Sequence, residues 1–136
     1  LWVVADDSGL EVDALGGAPG VHSKRFSAEQ TGEANNRLLL QRLEGRADRA
    51  ARFRCVVALV GPGGAEHLLE GRCEGHIALA ERGENGFGYD PLFLPDDTPG
   101  LTLAEVELSR KNAISHRGRA FGQLPALLSR LGLSTR

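Results

Sequence analysis

Residues 51–80 read ARFRCVVALVGPGGAEHLLEGRCEGHIALA. The first ten alternate and then become continuously apolar, the pattern of a strand that is partly and then wholly buried. GPGG at 61–64 is the chemistry of a tight turn, and EHLLEGRCEGHIALA after it is a second extended run. Two extended runs joined by so short a turn predict a long antiparallel hairpin in the middle of the chain.

Upstream, TGEANNRLLLQRLEG (31–45) offers Thr31 as an N-cap, Leu38, Leu39 and Leu43 as an apolar face, and Gly45 as a stop. A helix over about Glu33 to Glu44 is expected. At the start of the chain, LWVVA has the β-branched bias of a buried strand, and Ser8-Gly9 reads as a sharp turn. Asp6 and Asp7 are therefore expected at the carboxyl end of that strand. Downstream, ERGENGFGYDPLFLPDDTPG (81–100) carries too many glycines and prolines for regular structure over most of its length, as in a lid or binding loop. Thr102 and Glu105 form a capping-box pattern opening a short helical piece that SRKN (109–112) should end. Ser115 should cap a last helix with an apolar stripe through Ala120, Phe121, Leu124, Leu127, Leu128 and Leu131, bent or broken at Pro125. The expected class is α/β, with a mixed sheet, a long antiparallel hairpin and flanking helices.

The length, 136 residues, fits one domain over 1–136, and no internal repeat or linker divides it. Sixteen basic against eighteen acidic residues leave a net charge of -2, which argues against a general electrostatic grip on nucleic acid or on an anionic membrane. Cys55 and Cys73 lie too far apart for a CxxC site and are read as buried thiols in a reducing compartment. No run approaches the ~18 apolar residues of a membrane span, and a cytoplasmic location is expected. With no Met and a start directly in a strand-like run, the chain is expected to be part of a longer protein.

Three constellations could carry chemistry. In ADDSG, side-by-side carboxylates either bind a cation such as Mg²⁺ or push one pKa upward, and both outcomes serve hydrolysis; a solvated acidic turn accounts for the same residues. In GFGYDP (86–91), Gly86 and Gly88 permit close backbone approach, Phe87 and Tyr89 offer faces for stacking on a base, and Asp90 offers an acceptor. The aromatics would serve equally well as core anchors. In SRKNAISHRGRA (109–120), Arg110, Lys111, His116, Arg117 and Arg119 gather around a helix start capped by Ser115, either as a cradle for anions and carbonyl oxygens or as a solvated basic surface.

ADDSGLEVDALGGAPGVHSKRFS, GENGFGYDPLFLP and KNAISHRGRAF, in this order, resemble the inosine triphosphate pyrophosphatase family across nearly the whole chain. The resemblance implies Mg²⁺-dependent hydrolysis of ITP, dITP and XTP to monophosphate and pyrophosphate, on an elongated mixed α/β fold that is usually a homodimer. It makes Asp7 the proton acceptor and a metal ligand, Asp6 its metal-side neighbour, and Ser8 a substrate contact. It makes Phe87 the base-stacking aromatic, with Gly88, Tyr89 and Asp90 completing that loop, and Lys111, His116 and Arg117 further substrate contacts. Members of that family begin with a strand, a Thr/Ser-x-Asn-x-x-Lys phosphate loop, a helix and a metal-binding glutamate, and none of these is in this sequence. Residues 22 and 24 are His and Lys, where an aromatic and a small residue are common. The expectation is that the full-length protein hydrolyses ITP while residues 1–136 alone turn over little. Two other readings stay open: a nucleotide-sensing module without catalysis, and a Maf-type pyrophosphatase acting on modified pyrimidine nucleotides.

Overall fold

The computed structural model describes residues 2–20, 23, 26–84 and 88–133. Its centre is the expected hairpin: β3 (Ala50–Val60) and β4 (Glu66–Ile77) pair from Ala50↔His76 to Val60↔Glu66. Gly63 and Gly64 turn the chain at φ of 76° and 83°, where a side chain would be strained. β1 (Val3–Val12) lies on the other side of β3, and β2 (Pro19–Gly20) and β5 (Phe93–Pro95) complete the order β2-β1-β3-β4-β5.

Two expectations are corrected here. Every pairing among the described residues is antiparallel, whereas a mixture of strand directions was expected. Val12 at the end of β1 faces Ala51 at the start of β3, so the helical connection between them returns the chain to the same end of the sheet. The second correction concerns Ser8-Gly9, which does not turn. β1 continues through both residues, paired with Cys55 and Arg54, because ten residues of ladder outweigh a local turn preference. Gly9 serves close approach: a Cβ there would lie 2.4 Å from the Gly20 carbonyl oxygen. The turn falls later, after Asp13–Leu15, at Gly16 and Gly17 with φ of 66° and 93°.

Alternation assigns the faces of the sheet. Ala51, Phe53, Cys55, Val57 and Leu59 of β3 point to the buried side with Leu10 and Val12 of β1 and Leu69, Cys73 and Ile77 of β4. The other side carries Arg52, Arg54, Arg72, Glu70 and Glu74 in ion pairs. On the buried side, Leu39 of α1 (Gly32–Arg42) and Leu43 at its C-cap join one cluster with Leu10, Phe53, Leu92 and Phe93. Thr31 caps α1 as expected, its Oγ1 accepting from the Ala34 amide at 3.1 Å. A second cluster joins Cys55, Val57, Leu59 and Leu69 to Ala120 and Leu127.

These last two residues belong to α3 (His116–Phe121) and α4 (Leu124–Arg130), which follow α2 (Leu108–Ile114). Pro125 sits in the first turn of α4, so the expected break occurs just before it. SRKN does not end a helix; it lies inside α2. The Thr102 amide does donate to Glu105 Oε1 at 2.9 Å, yet residues 103–106 form only turns. Among the described residues no helix is long and apolar enough to cross a membrane.

Candidate active site

Because adjacent strand residues point to opposite faces, the acid pair is divided. Asp6 stands opposite Val57 on the helix-covered side, and Asp7 stands opposite Val56 on the other. Asp6 Oδ2 lies 3.2 Å from Arg117 Nη2 on α3. Asp7 is exposed at a hollow of about 70 Å³ that it lines with Gly9, Glu11, Gly20, Arg54 and Val56. Its carboxylate has no hydrogen-bond or ion-pair partner among the described residues. Ser8 shares the face of Asp6; its hydroxyl is buried beside the Cys55 thiol and has no well-formed hydrogen bond among the described residues.

The basic constellation comes from α2 and α3. Lys111 Nζ lies 2.6 Å from Asp90 Oδ2, and both side chains are mostly buried, so a residue of GFGYDP is tied directly to KNAISHRG. His116 stacks on Phe53 with ring centroids 4.9 Å apart and planes at 15°. Burial, then the positive charges of Arg117 and Lys111, hold its pKa down at about 4. At neutral pH the imidazole is therefore uncharged, one nitrogen donating and the other accepting. Its Nδ1 is buried without a partner among the described residues. Ser115 Oγ accepts from the Gly118 amide at 3.0 Å, so this hydroxyl serves the start of α3. The Arg117 guanidinium also lies 5.6 Å from the centre of the Phe121 ring, which holds it from a second side.

In the GFGYDP stretch, Phe87 lies outside the described residues. Gly88 is exposed at φ 59°. Tyr89 is a core residue: it is 6% exposed, its hydroxyl donates to the Ser23 carbonyl at 2.6 Å, and burial pushes its pKa up. Its ring therefore offers no open face for stacking. Asp6, Ser8, His116 and Arg117 thus share one side of the sheet with the Asp90–Lys111 pair, while Asp7 points away from them.

Sequence reasoning passed over Phe53, Asn35 and Asn36. Asn35 Oδ1 accepts from the Ser27 amide at 2.8 Å and the Ser27 hydroxyl at 2.7 Å, and its Nδ2 donates to the Ser23 carbonyl at 3.2 Å. Asn36 Nδ2 donates to the Gly88 carbonyl at 3.0 Å and to Glu81 Oε1 at 2.9 Å. The available signal was the pair itself: two consecutive amides in a leucine-rich helix are costly unless both are hydrogen-bonded.

A family model described as the Ham1 family matches residues 1–127. The dITP/XTP pyrophosphatase of Desulforamulus reducens is 53% identical over 131 residues, covering 94% of this chain and 65% of the relative. That of an Exiguobacterium species is 53% identical over 127 residues, covering 91% and 63%. Among solved structures, the Ham1 protein of Staphylococcus aureus superposes with a TM-score of 0.89 at 42% identity, over 96% of this chain and 68% of that one. The nucleoside-triphosphatase / dITP/XTP pyrophosphatase of Mycobacterium abscessus gives 0.80 at 49% identity, over 93% and 66%. The chain thus spans somewhat less than two thirds of the length of the first two relatives. A match this continuous in sequence, on a sheet and helices this closely superposed, means that the chain belongs to the Ham1 family.

Proposed function

We propose that the protein containing this chain hydrolyses non-standard purine nucleoside triphosphates, ITP, dITP and XTP, to the monophosphate and pyrophosphate. One observation carries the reading: the ion pairs Asp6–Arg117 and Asp90–Lys111 tie the three motif-bearing stretches into one neighbourhood. The relatives named dITP/XTP pyrophosphatase support it. A 6-keto purine presents an acceptor where adenine presents an amino donor. Arg117 and a neutral His116 donating there would satisfy the former and leave the latter with opposed hydrogens. Phe87 is assigned the stacking face, with Gly88, Tyr89 and Asp90 completing that stretch of sequence. Lys111 acts through Asp90, whereas the Ser8 hydroxyl, buried beside Cys55, does not fit the substrate contact that the resemblance implies.

For the chemistry, Asp7 is the proton acceptor. Water attacks the α-phosphorus, its proton passes to the Asp7 carboxylate, and the bond to the β-phosphoryl oxygen breaks to release pyrophosphate. Mg²⁺ is proposed as the cofactor, and the residues fit it in part. Asp7 is an exposed hard-oxygen ligand with no competing partner among the described residues, as suits an ion that shares its shell with phosphates. Asp6 does not fit beside it, since its carboxylate points to the opposite face and is engaged by Arg117. When bound, the ion would supply charge neutralisation on the phosphates.

The test is pyrophosphate release by the whole protein from ITP, ATP and GTP, with and without Mg²⁺. A Mg²⁺-requiring rate selective for ITP and lost in Asp7→Asn is expected; equal rates on ATP would remove the base-recognition assignment. A homodimer and a cytoplasmic location belong to the same proposal, and sedimentation of the whole protein checks the first.

A further inference from the structure

Asn36 is 3% exposed and lies midway along α1, a helix fixed to the core by the fully buried Leu39 and Leu43. Its side-chain nitrogen reaches two acceptors at once, Glu81 Oε1 and the Gly88 carbonyl. Residues 81 and 88 are the two flanks of the glycine-rich segment that carries Phe87. One amide therefore clasps both ends of that segment to a rigid helix. Gly88 also packs close to the first turn of α1, since a Cβ on Gly32 would come within 3.9 Å of its Cα.

The chemistry of the site selects asparagine. Two acceptors converge on one point, and they require two hydrogens on a single nitrogen at the end of a short side chain. Serine supplies one donor only. Aspartate would set a carboxylate against another carboxylate and a carbonyl, with neither able to donate. Asn36 Oδ1 is buried and takes no hydrogen bond among the described residues, so burying this side chain is offset by its two donated bonds alone.

We propose that Asn36 is a positioning residue for base recognition: it fixes Glu81 and Gly88, which flank the stretch assigned to the purine, without touching the phosphates. This rests on the pyrophosphatase reading above. The experiment uses the whole protein and compares KM and kcat for ITP with the inhibition constant of inorganic tripolyphosphate, which has no base. Asn36→Asp should raise KM for ITP about tenfold, the size of effect that follows from losing a buried hydrogen bond. The tripolyphosphate constant should move by less than about twofold, because its recognition leaves the loop aside. Glu81→Ala removes one clasp point from an exposed residue, so it folds irrespective of the fate of Asn36→Asp, and it should raise KM about threefold. Combining Asn36→Asp with Glu81→Gln moves the donor to the opposite side and should recover part of the loss. KM and the tripolyphosphate constant rising together, or neither moving in either single variant, would overturn the proposal.

A second readout is independent of turnover. Hydrogen exchange at the Arg82 and Leu92 amides, which donate to the Pro91 and Tyr89 carbonyls beside the two clasp points, should quicken about tenfold in Asn36→Asp while the amides of β3 stay unchanged. Unchanged exchange at both overturns the clasp. If the wild-type protein releases no pyrophosphate, the functional reading fails by itself, and exchange still decides the clasp.

Discussion

Arg117 reaches across from the first turn of α3 to place Nη2 3.2 Å from Asp6 Oδ2, joining the acid-bearing strand to the cationic helix. Asp7, one residue on, is turned to the opposite face of the sheet, so neighbours in sequence have different partners.

The two acids should therefore respond differently to removal of charge. Asp7→Asn should lower kcat for ITP about a hundredfold or more, the contribution typical of a positioned base, with the melting temperature unchanged. Asp6→Asn should instead raise KM about three- to tenfold with a smaller effect on kcat, because it frees a guanidinium assigned to base recognition. The stability cost of Asp6→Asn should stay below about 1 kcal/mol, since the Arg117 side chain is 52% exposed and such pairs are weak. Steady-state kinetics and a thermal melt on both variants check this; matching kinetic losses would argue that the acids act as a unit.

Gly71 sets how closely α3 approaches the sheet. A Cβ there would fall 2.1 Å from the His116 carbonyl oxygen and 2.4 Å from the Ala120 nitrogen, both backbone atoms that no rotamer change can move. Gly71→Ala should destabilise the fold by about 3 kcal/mol, the upper range of overpacking. It should also displace His116 from the Phe53 ring. Chemical denaturation gives the first effect, and the His116 ring resonances, which sense the aromatic face, give the second.

The hairpin at 51–77 was legible because alternation, a four-residue glycine-proline turn and β-branched residues all agree there. The Thr31 cap and the break near Pro125 were legible for the same reason, each resting on chemistry within a few residues. Ser8-Gly9 misled because its turn preference is local while the ladder to Cys55 and Arg54 is not. The acid pair was found by composition, yet its division between two faces requires knowing that the strand continues past Asp7. For Tyr89 stacking and core anchoring were equally open and the fold makes it a core residue, since nothing nearby in sequence announces that the Ser23 carbonyl will accept its hydroxyl proton. Asn36 was missed on the same ground: its partners at 81 and 88 meet it only in the fold.

Cys55 and Cys73 are both fully buried, and burial pushes the Cys73 thiol up to about 11 and raises that of Cys55 as well. A thiol held protonated and out of solvent is a poor nucleophile. Both should resist an alkylating reagent at neutral pH until the chain unfolds, and the labelling rate should follow the unfolding transition across a denaturant series. Rapid labelling of either in the native protein would contradict the packing of its cluster.

His116 makes the stability of the fold depend on pH with a definite sign. Its pKa is about 4 when folded, held down first by burial and then by Arg117 and Lys111, against an ordinary value of 6.5. Between those values the unfolded chain binds a proton at this residue that the folded chain does not, so unfolding is favoured as pH falls. The contribution is fully present above pH 6.5 and is lost progressively as pH drops toward about 4. The loss amounts to about 3 kcal/mol at most, from a shift of roughly two and a half pKa units. Carboxylates paired in the folded state, Glu70 among them with its pKa lowered to about 2 by Arg54 and Arg72, add an acid-side loss of their own. His116→Gln separates the two, because glutamine keeps a polar planar group without the titration. Denaturation from pH 7.5 to 4.5 should show wild type losing stability faster than His116→Gln, the curves converging or crossing at the acid end. Parallel curves would mean that the imidazole takes up its proton at the same pH folded and unfolded, so that burial does not hold it neutral down to the acid end.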